Sequence, residues 1–445
     1  MPQDIGPTTT DPTVSPGVHA NVGSLVDFNR RRIDVDHLRG RARAVRSVGI
    51  VGAGKMGAAI AASTAAGRLP VVITDADPNV LADLPQRLAI ELGRANRRSG
   101  AERASTVGRF VRPTTDRAAI ARCDLVLETV IERPEVKRQV FADLEPRLGG
   151  ETILASNTST LPITRLAAGL AVPSRFCGLH FFHPVAERPL VEIVRGPATS
   201  DETVAAAVSY VKTIGKIPLV VHDGPGFVVN RLLLPYVSEA MQLLLEGAAI
   251  EDVEQAGTNF GMALGPLTLL DQIGMDTALD CGWVLSGAYP ENVAASPLLM
   301  AMVKAGRLGQ KSGAGFFAYE QEPGGTAACR PDPAVEAIIA RWAQPPRQHT
   351  TDTITARLFL LMLLEATRIL QEKKVTDPRL VDLGVIFGLG FPESRGGILS
   401  WADTLGAARV VRMLRPFGSL GPRARPTPLL VEMAEKNRRF YDTAT

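Results

Sequence analysis

The sequence predicts an α/β doubly wound domain followed by two tandem all-α domains. Three observations predict it. Short Val/Ile/Leu runs alternate with longer helical stretches from Arg46 to about residue 222. Strand-like runs stop after Asp223, and a helical segment beyond that point recurs with a period near 130 residues. At 445 residues the chain is long for a single core, which agrees with several domains.

Taken in order, residues 1–26 open with MPQDIGPTTTDPTVSPGVHANVG, rich in Pro, Thr and Gly and without an apolar h-region. They read as a disordered tail and not a signal peptide. Residues 27–45, DFNRRRIDVDHLRGRARAV, are strongly charged and read as a linker or docking helix. Between 46 and 222 the strand candidates are SVGIVG, PVVITD, CDLVLETV, ETILASN, FCGLHFF, LVEIVRG and IPLVVHD. Most of the early ones lack polar alternation, as strands buried on both faces of a parallel sheet do. A first helical domain is expected over 223–320, starting with PGFVVNRLLLPYVSEAMQLLLEG, which begins on Pro and ends on Gly247 as a C-cap. A Pro/Gly/Gln-rich linker is expected over 321–350, then a second helical domain over 351–445.

The repeat supports that last division. NRLLLPYVSEAMQLLLEG (230–247) aligns without gaps with ARLFLLMLLEATRILQEK (356–373), pairing Arg231 with Arg357, Glu239 with Glu365 and Glu246 with Glu372. NFGMALG echoes IFGLGFP, and LDQIG echoes ADTLG. Such a period is too long for a solenoid and fits a duplicated domain. Asn230 of the first copy is Ala356 in the second.

A net charge of +3 with dispersed basic residues gives no nucleic-acid or membrane-surface footprint. The longest apolar run, RLFLLMLLEATRIL, is too short and too charged to span a bilayer. The four cysteines, Cys123, Cys177, Cys281 and Cys329, show no ligand or disulfide spacing, which predicts no metal and a cytoplasmic, reducing location.

The run Gly52-Ala53-Gly54-Lys55-Met56-Gly57 follows an apolar strand and opens an Ala-rich helix. The glycines permit a tight turn and close approach of a pyrophosphate at a helix N-terminus. The second strand ends in Asp75, where a carboxylate can take both ribose hydroxyls, and no arginine follows at once. NAD is therefore the expected cofactor of a Rossmann-type domain.

LHFFHPVAERPLVEIV (179–194) admits three readings: a metal site, satisfied core histidines, or a His–Glu pair. Residues three apart on a strand face opposite ways, which disfavours a metal held by His180 and His183. A carboxylate inside LVEIV must be paired or carry a large desolvation cost, so Glu192 points to a His–Glu pair across adjacent strands. Beside an NAD site, an imidazole oriented by a carboxylate is a general base for alcohol oxidation.

The stretches ASNTSTLPITRLA, RFCGLHFFHPVAERPLVEIVRG, DGPGFVVNRLLLPY, GPLTLLDQIGMDTA and GQKSGAGFF together resemble the L-3-hydroxyacyl-CoA dehydrogenase family, from about Arg46 to the end. GLGFPESRGGILSWADTLG in the second helical half resembles the dehydrogenase part of multifunctional fatty-acid β-oxidation enzymes, here without an enoyl-CoA hydratase domain. The resemblance implies oxidation of an L-3-hydroxyacyl-CoA thioester, with His180 as base, Glu192 as its partner, Ser159 on the substrate oxygen and Asn230 reaching the same site. It further implies that Glu132, Lys137, Ser159, His183 and Lys311 contribute to cofactor binding. A separate enoyl-CoA hydratase or thiolase is the partner it implies, and the tandem helical repeat could replace a dimer contact. The blander alternatives are a turn-capping role for Ser159, a polar helix position for Asn230, and solvated charges for Lys137 and Lys311. Two other functions are open: a non-catalytic docking subunit, and a dehydrogenase of a small hydroxy acid without CoA. His183 departs from the family's HFFNP, and Phe387 stands where related multifunctional enzymes often carry tyrosine.

Overall fold

The Val/Ile/Leu runs assemble into an eight-stranded sheet in the computed structural model, which describes residues 22–35, 43–99, 109–293, 296–321 and 327–443. The chain divides into two compact units, one of Gly23–Phe227 and the other centred on Val228–Thr445.

In the first unit the strands are β1 (Val48–Val51), β2 (Val71–Thr74), β3 (Val111–Pro113), β4 (Leu125–Glu128), β5 (Ile153–Ser156), β6 (Phe176–Phe181), β7 (Leu190–Arg195) and β8 (Ile217–His222). Their order is β3-β2-β1-β4-β5-β6-β7-β8. The chain leaves β1 toward β2 and β3 and then returns to its other side as β4, so a switch point lies beyond the C-terminal ends of β1 and β4. Strands β1 to β6 are parallel, as their continuous apolar character leads one to expect. The sheet is not parallel throughout: β7 runs antiparallel to β6, and β8 follows β7. The connection at 182–189 is too short for a crossover helix, which forces the reversal. Strand β3, with only VRP, carries no apolar run and is not evident from the sequence.

Helix α1 (Val22–Val35) begins inside the segment expected to be a tail. It docks on its own unit, with Leu25 buried and Asn29 Nδ2 donating to Pro218 O of β8 at 2.7 Å. Residues 1–21 and 36–42 lie outside the described residues. Helix α2 (Lys55–Ala66) is rich in Ala, Gly and Ser, which lets it bury Gly57 through Ala62 against the sheet. Helices α3 (Leu84–Ser99) and α4 (Pro134–Leu144) follow β2 and β4. Helix α5 (Asp201–Thr213) starts at the Ser200 cap, whose hydroxyl accepts from Thr203 N–H, with Asp201 and Glu202 in the first turn. Thr64 on α2 and Tyr210 on α5 share a buried hydrogen bond of 2.8 Å.

The second unit contains helices α6 (Val229–Leu245), α7 (Ile250–Phe260), α8 (Pro266–Ile273), α9 (Ala334–Arg341), α10 (Thr351–Gln371), α11 (Pro378–Gly384), α12 (Ile398–Leu405) and α13 (Ala407–Leu414). The region is not free of strands: β9 (Phe317–Gln321) and β10 (Ala327–Pro331) form an antiparallel hairpin. This hairpin and α9 occupy much of the expected 321–350 linker. Asp271 explains why: its carboxylate accepts from Phe316 N–H at 2.8 Å, Phe317 N–H at 3.0 Å and Tyr319 O–H at 2.8 Å, fixing the first strand.

Helices α6 and α10 pack along each other and exchange buried ion pairs reciprocally. Arg231 donates from Nε to Glu365 at 2.7 Å and from Nη1 to Glu372 at 2.6 Å. Arg357 donates from Nε to Glu239 at 2.9 Å and from Nη1 to Glu246 at 2.5 Å. A second correspondence lies nearby. Glu254 caps the amides of Leu267 and Thr268 at the head of α8, and Asp382 caps those of Leu399 and Ser400 at the head of α12. Asp271 binds the 316–317 amides, and Asp403 binds those of Phe440 and Tyr441. No helix among the described residues is long and apolar enough to cross a membrane.

Candidate active site

At the end of β1, Gly52 adopts φ 104°, a left-handed conformation open to glycine at little cost. Its amide donates to Thr74 O at 2.8 Å, and the Thr129 hydroxyl donates to its carbonyl at 2.8 Å. A Cβ on Gly57 would lie 1.9 Å from Gly52 O, so the third glycine is fixed by contact between helix and strand. Gly54 is different: a Cβ there would meet nothing within 4 Å, and it caps α2 with no side chain on the orphan amides. Such an N-terminus suits a pyrophosphate. Lys55 and Met56 open the helix, and Asp75 at the end of β2 accepts from Ala53 N–H at 2.6 Å, turning its carboxylate toward the loop. The residues thus fit NAD: an open glycine, a helix N-terminus without a side-chain cap, and a carboxylate beside it.

On β6 and β7 the antiparallel register sets His180 directly opposite Glu192. His180 Nδ1 lies 2.7 Å from Glu192 Oε2, with the two side chains 4% and 0% exposed. A carboxylate that accepts here fixes the proton on Nδ1 and leaves the lone pair on Nε2. The rings of Phe182 and Phe227 pack against the imidazole with centroids 4.4 and 5.7 Å away.

The loop after β5 is organised by a carboxylate. Glu132 accepts from Thr158 O–H, from Ser159 N–H at 2.9 Å and from Thr160 N–H at 3.4 Å. Lys137, on α4, is no solvated charge: it is 1% exposed, pairs with Glu132 at 3.1 Å and donates to Glu128 at 2.8 Å. Burial pushes the Glu128 carboxyl up, against the pull of the Lys137 ammonium and the Ser156 hydroxyl that donates to it. Glu128 and Asn157, whose Oδ1 accepts from Phe181 N–H at 3.0 Å, are functional neighbours that the sequence reading missed. A carboxylate closing the apolar run CDLVLE, nine residues before a lysine, was the available signal.

His183 sits by Arg94 of α3, its Nε2 3.5 Å from Nη1, and Arg94 is held by Glu91. Burial, aided by Lys55, Arg94 and Arg188, pushes the His183 imidazole down to about 3, so it is neutral at physiological pH. Burial also lowers Arg188. These three cations, of which Arg94 and Arg188 were not foreseen, make the neighbourhood of the glycine loop receptive to phosphate. Asn230 and Lys311 belong to the other unit. Asn230 is the second residue of α6, and Lys311 is ion-paired with Asp276 beside Gly274. Phe387 is half-buried.

Comparison with known proteins agrees with this assembly. Residues 47–224 match the family model for the 3-hydroxyacyl-CoA dehydrogenase NAD binding domain, and residues 226–319 match that for the C-terminal domain. The chain is 27% identical to 3-hydroxybutyryl-CoA dehydrogenase from Escherichia coli, covering 89% of this chain and 99% of that one with a TM-score of 0.76. It is 36% identical to (S)-3-hydroxybutyryl-CoA dehydrogenase from Ralstonia eutropha over 62% of this chain and 100% of that one, TM-score 0.59. The dehydrogenase part of multifunctional enzyme 1 from C. elegans is 27% identical, with 88% and 90% coverage and a TM-score of 0.63. With an NAD-binding glycine loop, both family models matched and close relatives covered end to end, the chain belongs to the 3-hydroxyacyl-CoA dehydrogenase family and is an NAD-dependent dehydrogenase.

Proposed function

We propose that the protein oxidises an L-3-hydroxyacyl-CoA to the 3-oxoacyl-CoA, reversibly, with His180 as the proton-transfer group. The observation that carries this reading is the buried 2.7 Å contact between His180 Nδ1 and Glu192. Bound NAD supplies the acceptor for the C3 hydrogen and its electron pair. The hydroxyl proton moves to His180 Nε2, and the carbon–oxygen double bond forms as the hydride leaves. Glu192 stabilises the imidazolium so produced and fixes its ring. Ser159, whose amide Glu132 holds, is the residue that in this reading hydrogen-bonds the substrate oxygen. The roles of Asn230 and Lys311 rest on their motifs. The phosphates of the CoA thioester are the kind of anion that the Lys55, Arg94 and Arg188 cluster favours.

Residues 351–445 are read as a second copy of the helical domain, supported by the reciprocal Arg231 and Arg357 ion pairs and by the paired carboxylate caps. Because one chain then contains both partners of that helix pairing, it functions without a second subunit. The setting is fatty-acid β-oxidation in the cytoplasm, with a hydratase or thiolase as a separate protein.

The test is NADH consumption at 340 nm with acetoacetyl-CoA and a longer 3-oxoacyl-CoA, comparing the wild type with His180→Ala. Turnover of a thioester that collapses in the variant supports the reading. Wild-type protein that binds NADH yet turns over neither thioester overturns it.

A further inference from the structure

We propose that a cavity at the N-terminal end of α10, walled by α13, binds a phosphate monoester that carries an apolar or ring moiety. The cavity measures about 630 Å³, within the range of small-molecule sites. It lies wholly in the helical unit and shares no residue with the NAD loop or the His180–Glu192 pair.

His349 is the first observation. Its side chain is 5% exposed and lines the cavity, yet neither ring nitrogen has a hydrogen-bond partner. Glu246 Oε2, at 3.7 Å from Nε2, is too far to bond and is already taken by Arg357. A buried polar group left unpaired is destabilising, and a ligand oxygen in the cavity would remove that cost. Burial lowers the His349 pKa against the pull of Glu246, and a ring nitrogen that carries a hydrogen can donate to a ligand oxygen.

Charge is the second. Arg409 and Arg412 lie one turn apart on α13 and face the cavity, and neither makes an ion pair among the described residues. Arg347 faces it from the other side, only 3.9 Å from Glu246. Asp352 is the one carboxylate on the lining. Guanidinium forks and the positive end of a 21-residue helix together favour an anion with several acceptor oxygens, as a phosphate has.

The third is shape and chemistry. Met413, Phe417 and Leu420 line an apolar wall beside the cationic one, which suits a ring or chain attached to the phosphate. The floor carries Ala356, where the aligned position in α6 is Asn230. Ala356 brings no amide to that position, and the Gln348 amide with the Thr353 and Ser419 hydroxyls on the lining are further hydrogen-bonding groups for a phosphate.

The experiment uses the full-length protein saturated with NADH and labelled at the histidine ring carbons. The His349 signal, one of six histidines, is assigned by its loss in His349→Gln. Adenosine 3′,5′-bisphosphate and inorganic phosphate are then titrated separately. The proposal expects a saturable shift of that signal, tighter binding of the nucleotide than of phosphate, and roughly tenfold or greater weakening in Arg409→Ser/Arg412→Ser. The kcat and KM for acetoacetyl-CoA should be unchanged in that variant, because no catalytic group is touched. A signal that stays fixed at millimolar ligand, or moves equally in the arginine variant, overturns the site. Equal affinity for the two ligands overturns the apolar or ring part of the ligand. The wild-type titration decides the matter even if the variant fails to fold, and that titration does not depend on the assigned activity.

Discussion

Replacing Glu192 by Gln removes one charge and keeps the volume. In the wild type the carboxylate faces an imidazole at 2.7 Å, both side chains buried. When His180 takes the substrate proton, an ion pair with charge centres about 4 Å apart is created, worth about 4 kcal/mol at an effective dielectric of about 20. The neutral amide forfeits that attraction. It can also donate to Nδ1, placing the proton on Nε2 where it blocks base action. Since each 1.36 kcal/mol is tenfold, kcat for oxidation of 3-hydroxybutyryl-CoA should fall about a thousandfold. NADH affinity, followed by fluorescence, should hold, because the glycine loop and Asp75 are untouched. In a His180→Ala background the same substitution should cost almost nothing further, because the two residues act as one unit. A fall of less than about tenfold in a protein of unchanged melting temperature would refute the reasoning, as would full additivity of the two substitutions.

Other outcomes follow from the same geometry. Arg357→Met takes from Glu239 and Glu246 the buried guanidinium they share, leaving Glu239 to Arg423 and Glu246 to Gln242 and Arg347. It should lower urea stability by about 3 kcal/mol, the lower end for removing one partner of a buried pair. Gly57→Ala places a methyl against Gly52 O and should abolish NADH binding measured by fluorescence, with the helical unit still folded by circular dichroism. His183 titrates near 6.5 when unfolded and near 3 when folded, so between those values the unfolded chain binds more protons and stability falls as pH falls. His183→Asn should therefore lose less melting temperature between pH 7 and 5 than the wild type; parallel curves would count against it. Light scattering should return a mass near 47.5 kDa, one chain, and a doubled mass would remove the internal-pairing argument.

Much of this was legible because burial leaves a mark on residue choice. Strands β1, β4 and β5 announce themselves as apolar runs, and Glu192 stands out because nothing but a partner excuses a carboxylate between Val191 and Ile193. Arg231 and Arg357 stood out in the same way, since arginines inside apolar helices need acids to pair with. What escaped was set by contacts far along the chain. Strand β3 is three residues added to an existing edge, and the β9–β10 hairpin depends on Asp271, some 45 residues earlier. The sequence leaves Lys137 between a cofactor contact and a solvated charge, and only the fold reveals Glu128 and Glu132 around it. Arg94 meets His183 across 89 residues, a separation no local pattern encodes.

The antiparallel turn between β6 and β7 carries a consequence for how this enzyme can vary. His180 and Glu192 meet because the backbone ladder pairs their positions, so their alignment depends on the register of the two strands. An insertion of one residue within 182–189 that slipped the register would rotate Glu192 to the opposite face of the sheet and leave the imidazole without its acid. A slip by two would keep the face but carry Glu192 about 7 Å along the strand from His180. Length variation in this hairpin is therefore tolerated where the loop absorbs it and not where it moves the ladder. Active members of a library that randomises its length should be those that keep the His180–Glu192 register.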